Sequence, residues 1–234
     1  MKIAVIIPTY NEKENIKRLI PRIFSLGIEE LEIVVVDDNS PDGTGKIVET
    51  LKRTDNRVHL LSRPRKMGLG TAYLAGFRYS LDRGAEYIFE MDADFSHDFR
   101  AIPKFLEAAG GHDLIVGSRY KNGISITNWP IGRLTMSLLA NRYAALVTGV
   151  ALTDMTSGFK CYRRKVLEGL DLNKIRSNGY SFQIEMKYRA HKKNFAIREI
   201  PIVFAGRHSG SSKISRLIVW EALWIVWKLR FGLI

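Results

Sequence analysis

Asp92 and Asp94 are separated by one residue, Ala93, and follow the segment Ile88-Phe89-Glu90-Met91. In an extended chain residues i and i+2 point to the same side, so the two carboxylates repel each other unless a cation lies between them. Hard oxygen ligands of this kind suit Mg²⁺ or Mn²⁺, and Mg²⁺ is commonly held by one or two carboxylates with substrate phosphates completing its shell. The pair therefore points to a metal-bridged diphosphate with Asp92 and Asp94 as the metal ligands. The bland alternative is a loop of solvated acids. It is disfavoured because the pair ends a buried-type strand and three other polar segments follow strands in the same way: Pro8-Thr9-Tyr10-Asn11-Glu12, Asp37-Asp38-Asn39-Ser40-Pro41-Asp42-Gly43 and Ser118-Arg119-Tyr120.

The elements that must position these segments alternate. β-branched runs at 3–7, 32–36, 58–61, 87–91 and 114–117 are separated by helical patterns at 14–26, 46–54, 71–83 and 101–109. Strand-helix alternation with continuous apolar strands predicts an α/β fold, a mainly parallel central sheet covered by helices on both faces. In such a sheet ligands bind beyond the carboxyl ends of the strands, so the four polar segments should meet in one cleft. Beyond Tyr120 the pattern changes to a helix at 133–148, a glycine-punctuated stretch at 157–162, a helix at 182–193 and a strand at 197–204. Asp38 is placed to accept hydrogen bonds from a base or ribose, while Ser40 to Gly43 supply a turn in which Ser40 or Asp42 caps the next helix. Gly68-Leu69-Gly70 lacks the third glycine of a dinucleotide fingerprint, because Tyr73 stands there. It reads either as a turn in close approach to a nucleotide or as a plain loop opening a helix.

Composition narrows the function classes. The 234 residues are 46% hydrophobic and 26% charged, which is ordinary for a globular chain and excludes disorder and collagen. One cysteine, Cys161, rules out an intrachain disulfide, and no Cys/His cluster has zinc spacing, so a reducing compartment is expected. Neither a signal peptide nor a membrane-spanning helix is expected. The start lacks the leader pattern, and the apolar run at 217–227 is broken by Glu221 and falls short of the roughly 20 residues a span needs. The net charge of +12 is unevenly spread: residues 1–117 hold 16 basic and 18 acidic side chains, residues 118–234 hold 20 and 6. A basic excess alone suits nucleic acid, a membrane surface or a phosphorylated ligand. A nucleic-acid-binding protein would, however, leave the acidic strand-end loops without a purpose.

With these residues in view, the chain resembles the family 2 glycosyltransferases of GT-A fold, and among them the polyprenyl-phosphate (dolichyl-phosphate) mannose synthases. Besides the segments above, the resemblance rests on Gly68-Leu69-Gly70-Thr71-Ala72-Tyr73, Asn128-Trp129-Pro130, Thr156-Ser157-Gly158-Phe159 and Gly179-Tyr180-Ser181-Phe182-Gln183. It implies a GT-A nucleotide-diphospho-sugar transferase fold and inverting transfer of mannose from GDP-mannose to a polyprenyl phosphate. A near variant would use UDP-glucose. The resemblance places Pro8, Tyr10, Glu12, Val36 and Asp38 around the guanosine, Asp92, Ala93 and Asp94 at the metal and diphosphate, and Arg119, Arg207 and Lys213 near phosphates, with Arg133 and Ser137 as further acceptor-binding candidates. Asp94 and Arg119 are the catalytic candidates. Two departures stand out: Ser96 replaces a Gln that some relatives use as an extra metal ligand, and Gly210-Ser211-Ser212-Lys213 differs from the Gly-Glu-Ser-Lys of many relatives.

The residue inventory suits this reaction. A phosphate nucleophile is already anionic and needs no general base, whereas two phosphorylated substrates need cations to approach one another. Asp154 is a candidate for orienting the acceptor or sugar, and His97 and His208 read as bystanders. The expected organisation is a GT-A domain at 1–212, with a nucleotide and metal half at 1–117 and an acceptor half at 118–212, then an amphipathic helix at 213–234. There Trp220, Trp224, Trp227 and Phe231 share one face, flanked by Lys213, Arg216, Lys228 and Arg230. Aromatics and cations together suit the headgroup zone, giving the expectation of a peripheral protein on the cytoplasmic face of a membrane. Packing on the catalytic domain, on a membrane-spanning partner subunit or in a dimer interface are the alternatives for that face.

Overall fold

Side-chain alternation along β1 (Ile3–Thr9) sends Ile3, Val5 and Ile7 to one apolar cluster and Ala4 and Ile6 to another. The next strand, β2 (Leu31–Asp37), does the same with Ile33 and Val35 against Val34 and Val36. Neither face can meet water, so helices must cover both. In the computed structural model, which describes residues 1–206 and 224–233, α1 (Lys13–Phe24), α2 (Thr44–Thr54) and α4 (Ile102–Ala109) cover the first face. The second is covered by α3 (Leu69–Asp82), α6 (Arg164–Gly169) and α7 (Gly179–Lys192). The result is the α/β architecture expected.

Five further strands complete the sheet: β3 (Val58–Ser62), β4 (Tyr87–Glu90), β5 (Leu114–Ser118), β7 (Lys160–Arg163) and β8 (Ile197–Pro201), in the order β3-β2-β1-β4-β7-β5-β8. All neighbours are parallel except β7, which runs antiparallel between β4 and β5. This central strand is a departure from the sequence reading, in which 157–162 was only a glycine-punctuated stretch. It is four residues long and begins with a lysine, so it carries no apolar-run signal. Its register supplies the missing logic: Lys160 lies opposite Glu90 of β4, and the two buried side chains pair at 3.0 Å. The expected strand at 197–204 is also divided. It leaves the main sheet at Pro201, and β9 (Phe204–Ala205) pairs with the short β6 (Ile126–Thr127) at the edge of the cleft.

A third apolar cluster joins α5 (Ile131–Thr148), α7 and the helical residues 224–230, with Ala144, Met155, Ile184, Val226 and Leu229 buried together. Trp224, Trp227 and Phe231 lie on the exposed side of that turn, and Trp227 stacks on Phe231 at 5.8 Å. The rest of the expected C-terminal helix lies outside the described residues. No described helix is long and apolar enough to cross a membrane.

The two glycines of Gly68-Leu69-Gly70 turn out to serve chain-to-chain packing. A Cβ on Gly70 would lie 2.5 Å from the Ser177 carbonyl oxygen, and one on Gly68, where φ is +100°, would lie 2.7 Å from Asn178 Oδ1. The start of α3 thus sits directly on the start of α7, and the close approach is to protein. Gly70→Ala is expected to destabilise the fold by about 1–3 kcal/mol through overpacking. It should lower the denaturation midpoint at constant slope; an unchanged midpoint would contradict the contact.

Candidate active site

The ends of β1 and β2 are locked into one rim by donors that the strands themselves leave unused. The backbone N–H groups of Asn11, Glu12 and Lys13 donate to Ser40 Oγ, Thr44 Oγ1 and Asp42 Oδ2, each at 3.0 Å. Asp42 also accepts from the Thr44 N–H at 2.9 Å, a turn just ahead of α2; the cap position itself is held by Gly43 in the left-handed conformation with no side-chain cap bond, so neither Ser40 nor Asp42 is the cap. Asp37 accepts from Thr9 Oγ1 at 2.8 Å and from Ser40 through both backbone and hydroxyl. Asp38 bonds to Arg63 and, at 3.0 Å, to the Met67 N–H, while Arg63 continues to Thr71 Oγ1 at 2.7 Å. The carboxylate expected at a base or ribose thus also organises the loop leading into α3. Pro8 is half-buried on this rim and Tyr10 is exposed at its lip under Lys66, whose Nζ is 4.5 Å from the ring centre. Glu12 accepts from Asn15 at 2.7 Å. Val36 is fully buried, its side chain in the apolar layer beneath the rim.

Across the cleft, Asp92 is oriented from two sides. Tyr73 donates to Asp92 Oδ1 at 3.2 Å, and burial, reinforced by Asp92 and Glu90, raises the Tyr73 pKa so that it remains a donor. The Asp92 N–H donates to His97 Nδ1 at 3.1 Å, an assignment that puts the proton of the neutral ring on Nε2, 4.0 Å from Asp92 Oδ2. His97 is wholly buried and stacked on Phe159 at 5.0 Å; burial lowers its pKa against the opposing pull of Asp92 and Asp94. His97, a bystander by sequence, therefore shapes the Asp-Ala-Asp turn. Ala93 and Asp94 are buried in that turn, and Asp94 Oδ1 accepts from the Ser96 N–H at 3.0 Å.

Ser96 Oγ is buried with no hydrogen-bond partner among the described residues. An orphaned hydroxyl in the same turn as two carboxylates is a hard-oxygen donor set, which fits Mg²⁺ or Mn²⁺. Among the described residues no three His, Cys, Asp or Glu side chains form a closed cage. An ion that shares its shell with substrate phosphates does not need one.

The far wall is cationic. Arg119 is buried and forked onto Asp154, with Nε to Oδ2 at 2.7 Å and Nη2 to Oδ1 at 2.6 Å, and Nη2 also reaches Thr156 Oγ1 at 2.7 Å. Burial would raise the Asp154 pKa, but the Arg119 charge and its hydrogen bonds outweigh that and hold the carboxyl below its usual range. Beside Arg119 a cavity of about 220 Å³ is lined by Asp92, Ser96, His97, Trp129, Arg133 and Gln183 among others. Arg133 lies 3.9 Å over the Trp129 ring, and Arg133 Nε and Trp129 Nε1 are, like Ser96 Oγ, buried without hydrogen-bond partners among the described residues. Three unsatisfied polar atoms around one cavity mark where a polar ligand would complete the hydrogen bonding. Ser137 stands behind this wall, accepting from the Tyr120 hydroxyl at 2.7 Å. Arg207, Lys213 and His208 lie outside the described residues. The sequence carries one signal of the Asp154 grip on Arg119: Asp154 is the only acidic residue between Asp113 and Glu168.

Comparison with known proteins agrees with this geometry. Residues 4–171 match the profile of Glycosyl transferase family 2. Polyprenol monophosphomannose synthase of Mycolicibacterium smegmatis is 45% identical over 97% of this chain and 86% of the relative. Undecaprenyl-phosphate mannosyltransferase of Micrococcus luteus is 43% identical over 100% of this chain and 95% of the relative. Among solved structures, glucosyl-3-phosphoglycerate synthase of Mycobacterium tuberculosis, in complex with Mn²⁺, uridine diphosphate and glucosyl-3-phosphoglycerate, superposes with a TM-score of 0.71. It shares 18% identity over 99% of this chain and 80% of that one, a likeness of GT-A fold. A seven-stranded sheet with its acidic and cationic loops gathered at one end, and relatives matched over nearly their whole length, lead to one conclusion: the chain is an enzyme of glycosyltransferase family 2.

Proposed function

We propose that the protein transfers mannose from GDP-mannose to a polyprenyl phosphate with inversion at the anomeric carbon, giving polyprenyl-phosphate mannose and GDP. The observation that carries the reading is the opposition, across one cleft, of the Asp92-Ala93-Asp94 turn and the buried Arg119–Asp154 pair. The two mannosyltransferase relatives support the sugar and the lipid acceptor. A divalent ion bound at Asp92 and Asp94 would act as a Lewis acid on the departing diphosphate. The rim of β1 and β2, with Tyr10, Glu12 and Asp38, would hold the nucleoside. Arg119 and Arg133, supported by Ser137, would clamp the acceptor phosphate, so that its oxygen attacks from the side opposite the leaving group. A phosphate oxygen that is already anionic asks for no base. The unpartnered donors on Trp129 and Arg133 suit an anion or a sugar hydroxyl. UDP-glucose is the competing donor, and the relatives favour mannose.

The same reading places the protein at the cytoplasmic surface of a membrane. Ile131, Met136, Leu139 and Leu146 of α5 are exposed, as are Trp224, Trp227 and Phe231. Aromatics of this kind favour the headgroup zone. The triple substitution Trp224→Ser, Trp227→Ser and Phe231→Ser is expected to reduce flotation with liposomes containing anionic lipid. Equal flotation would give that face to a membrane-spanning partner subunit or a dimer contact.

Incubation with labelled GDP-mannose, a polyprenyl phosphate and Mg²⁺ or Mn²⁺ should yield a lipid-linked mannose, and chelation should abolish it. Product from UDP-glucose alone would overturn the donor assignment, and no product from either would overturn the reaction. Asp94→Ala is expected to lower kcat about 10²–10³-fold, the range for losing one stabiliser of transition-state charge. Arg133→Gln is expected to raise the acceptor KM roughly 10- to 100-fold, as for a lost charged hydrogen bond, with donor KM unchanged.

A further inference from the structure

Lys187 lies midway along α7 and is completely buried. Its amine donates to the carbonyl oxygens of Ser157 at 2.8 Å and Met155 at 3.0 Å, with a longer bond of 3.5 Å to Gln183 O one turn back. A buried amine is tolerated only where its hydrogens find acceptors, and buried backbone carbonyls likewise need donors. The two requirements meet in one short turn. Residues 154–157 use their side chains and their carbonyls in opposite directions: Asp154 and Thr156 grip Arg119, while the carbonyls of Met155 and Ser157 turn back to Lys187.

The turn has further anchors, among them Ser157 Oγ, which donates to the Gly117 carbonyl oxygen at 2.5 Å. Glu199 accepts from the Thr153 and Asp154 N–H groups at 2.9 and 2.8 Å, and Asn141 Oδ1 accepts from the Thr156 N–H at 2.9 Å. Without the amine, two buried carbonyls would have to rotate in search of donors. Rotating those peptide planes moves Thr156, which lies between them, and pulls on Asp154 one residue ahead of the first, and these two side chains aim Arg119.

We infer that Lys187 is a positioning residue for the cationic acceptor subsite, fixing the 154–157 turn from behind so that Asp154 and Thr156 hold Arg119 toward the cleft. The inference rests on the reading of Arg119 as an acceptor-phosphate group. Among the described residues Lys187 makes no bond to the rim of β1 and β2. Toward the metal-side carboxylates it connects less directly, through Gln183, whose side chain bonds Glu90 and Lys160, and through the chain from Ser157 to Phe159, which stacks on His97.

The test is steady-state kinetics of the full chain with GDP-mannose, a short-chain polyprenyl phosphate and Mn²⁺, comparing wild type, Lys187→Met, Lys187→Gln and Arg119→Lys. Lys187→Met is expected to raise the acceptor KM about tenfold, in line with an unpaired buried carbonyl, with donor KM unchanged. Lys187→Gln, which keeps a donor in place, should show a smaller shift of the same kind. A fall in kcat with both KM values unchanged, or an equal rise in both, would mean a merely structural role and overturn the inference. If circular dichroism shows Lys187→Met to be unfolded, the split in Lys187→Gln decides by the same criterion. Arg119→Lys separates the two levels: if it leaves the acceptor KM unchanged, the acceptor reading itself fails. If it raises that KM while the Lys187 variants do not, only the role of Lys187 is lost.

Discussion

A guanidinium can wait for an anion inside a largely apolar cleft only if another anion already holds it there. For Arg119 that anion is Asp154, buried with it and bonded to it twice. Removing one partner of such a pair strands a charge at a cost of about 3–5 kcal/mol, so the surroundings must keep both in place. They do so in layers. Glu199 fixes the backbone before Asp154, Asn141 fixes Thr156, and Lys187 fixes the carbonyls on either side of Thr156, those of Met155 and Ser157. The central antiparallel strand β7 then carries the chain from this turn back into the sheet, with Lys160 opposite Glu90 two residues before Asp92. The acidic and cationic walls of the cleft are thereby fixed to adjacent strands.

The uneven charge takes on a different meaning in this setting. Part of the excess in residues 118–234 is interior: Arg119, Lys160 and Lys187 are all buried and matched to carboxylates or carbonyls. A nucleic-acid surface needs its cations on the outside, in a stripe or groove. Of the three only Arg119 lines the cavity, together with Arg133, and two inward guanidinium groups there suit a small phosphorylated ligand, while Lys160 and Lys187 serve the core behind it. The acidic loops on the other wall hold each other together, through Asp37, Asp42 and Asp38, as much as they present acids to solvent.

Much of this was legible in the sequence because it follows from periodicity. The two-faced apolar runs of β1 and β2 announce a covered parallel sheet, and the polar segments that end them announce the cleft. The Asp-Ala-Asp spacing states its own electrostatic problem. What was not legible depends on tertiary partners. Lys-Cys-Tyr-Arg reads as no strand until Glu90 is placed opposite its lysine. Gly68 and Gly70 look like a nucleotide turn until Ser177 and Asn178 occupy the space beside them. His97 shows no role until Phe159 stacks on it and the Asp92 N–H finds its ring nitrogen. In each case the residue type was visible and its reason lay many positions away.

On the proposed function, the Arg119–Asp154 pair forms an acceptor-phosphate subsite separate from the nucleotide rim. Its most direct measurement is calorimetric binding of a short-chain polyprenyl phosphate, without donor, to wild type and to Asp154→Asn, with GDP and Mn²⁺ titrated in parallel. Asp154→Asn should weaken acceptor binding and leave nucleotide affinity unchanged. Unchanged acceptor affinity, or an equal loss of both ligands, would contradict it.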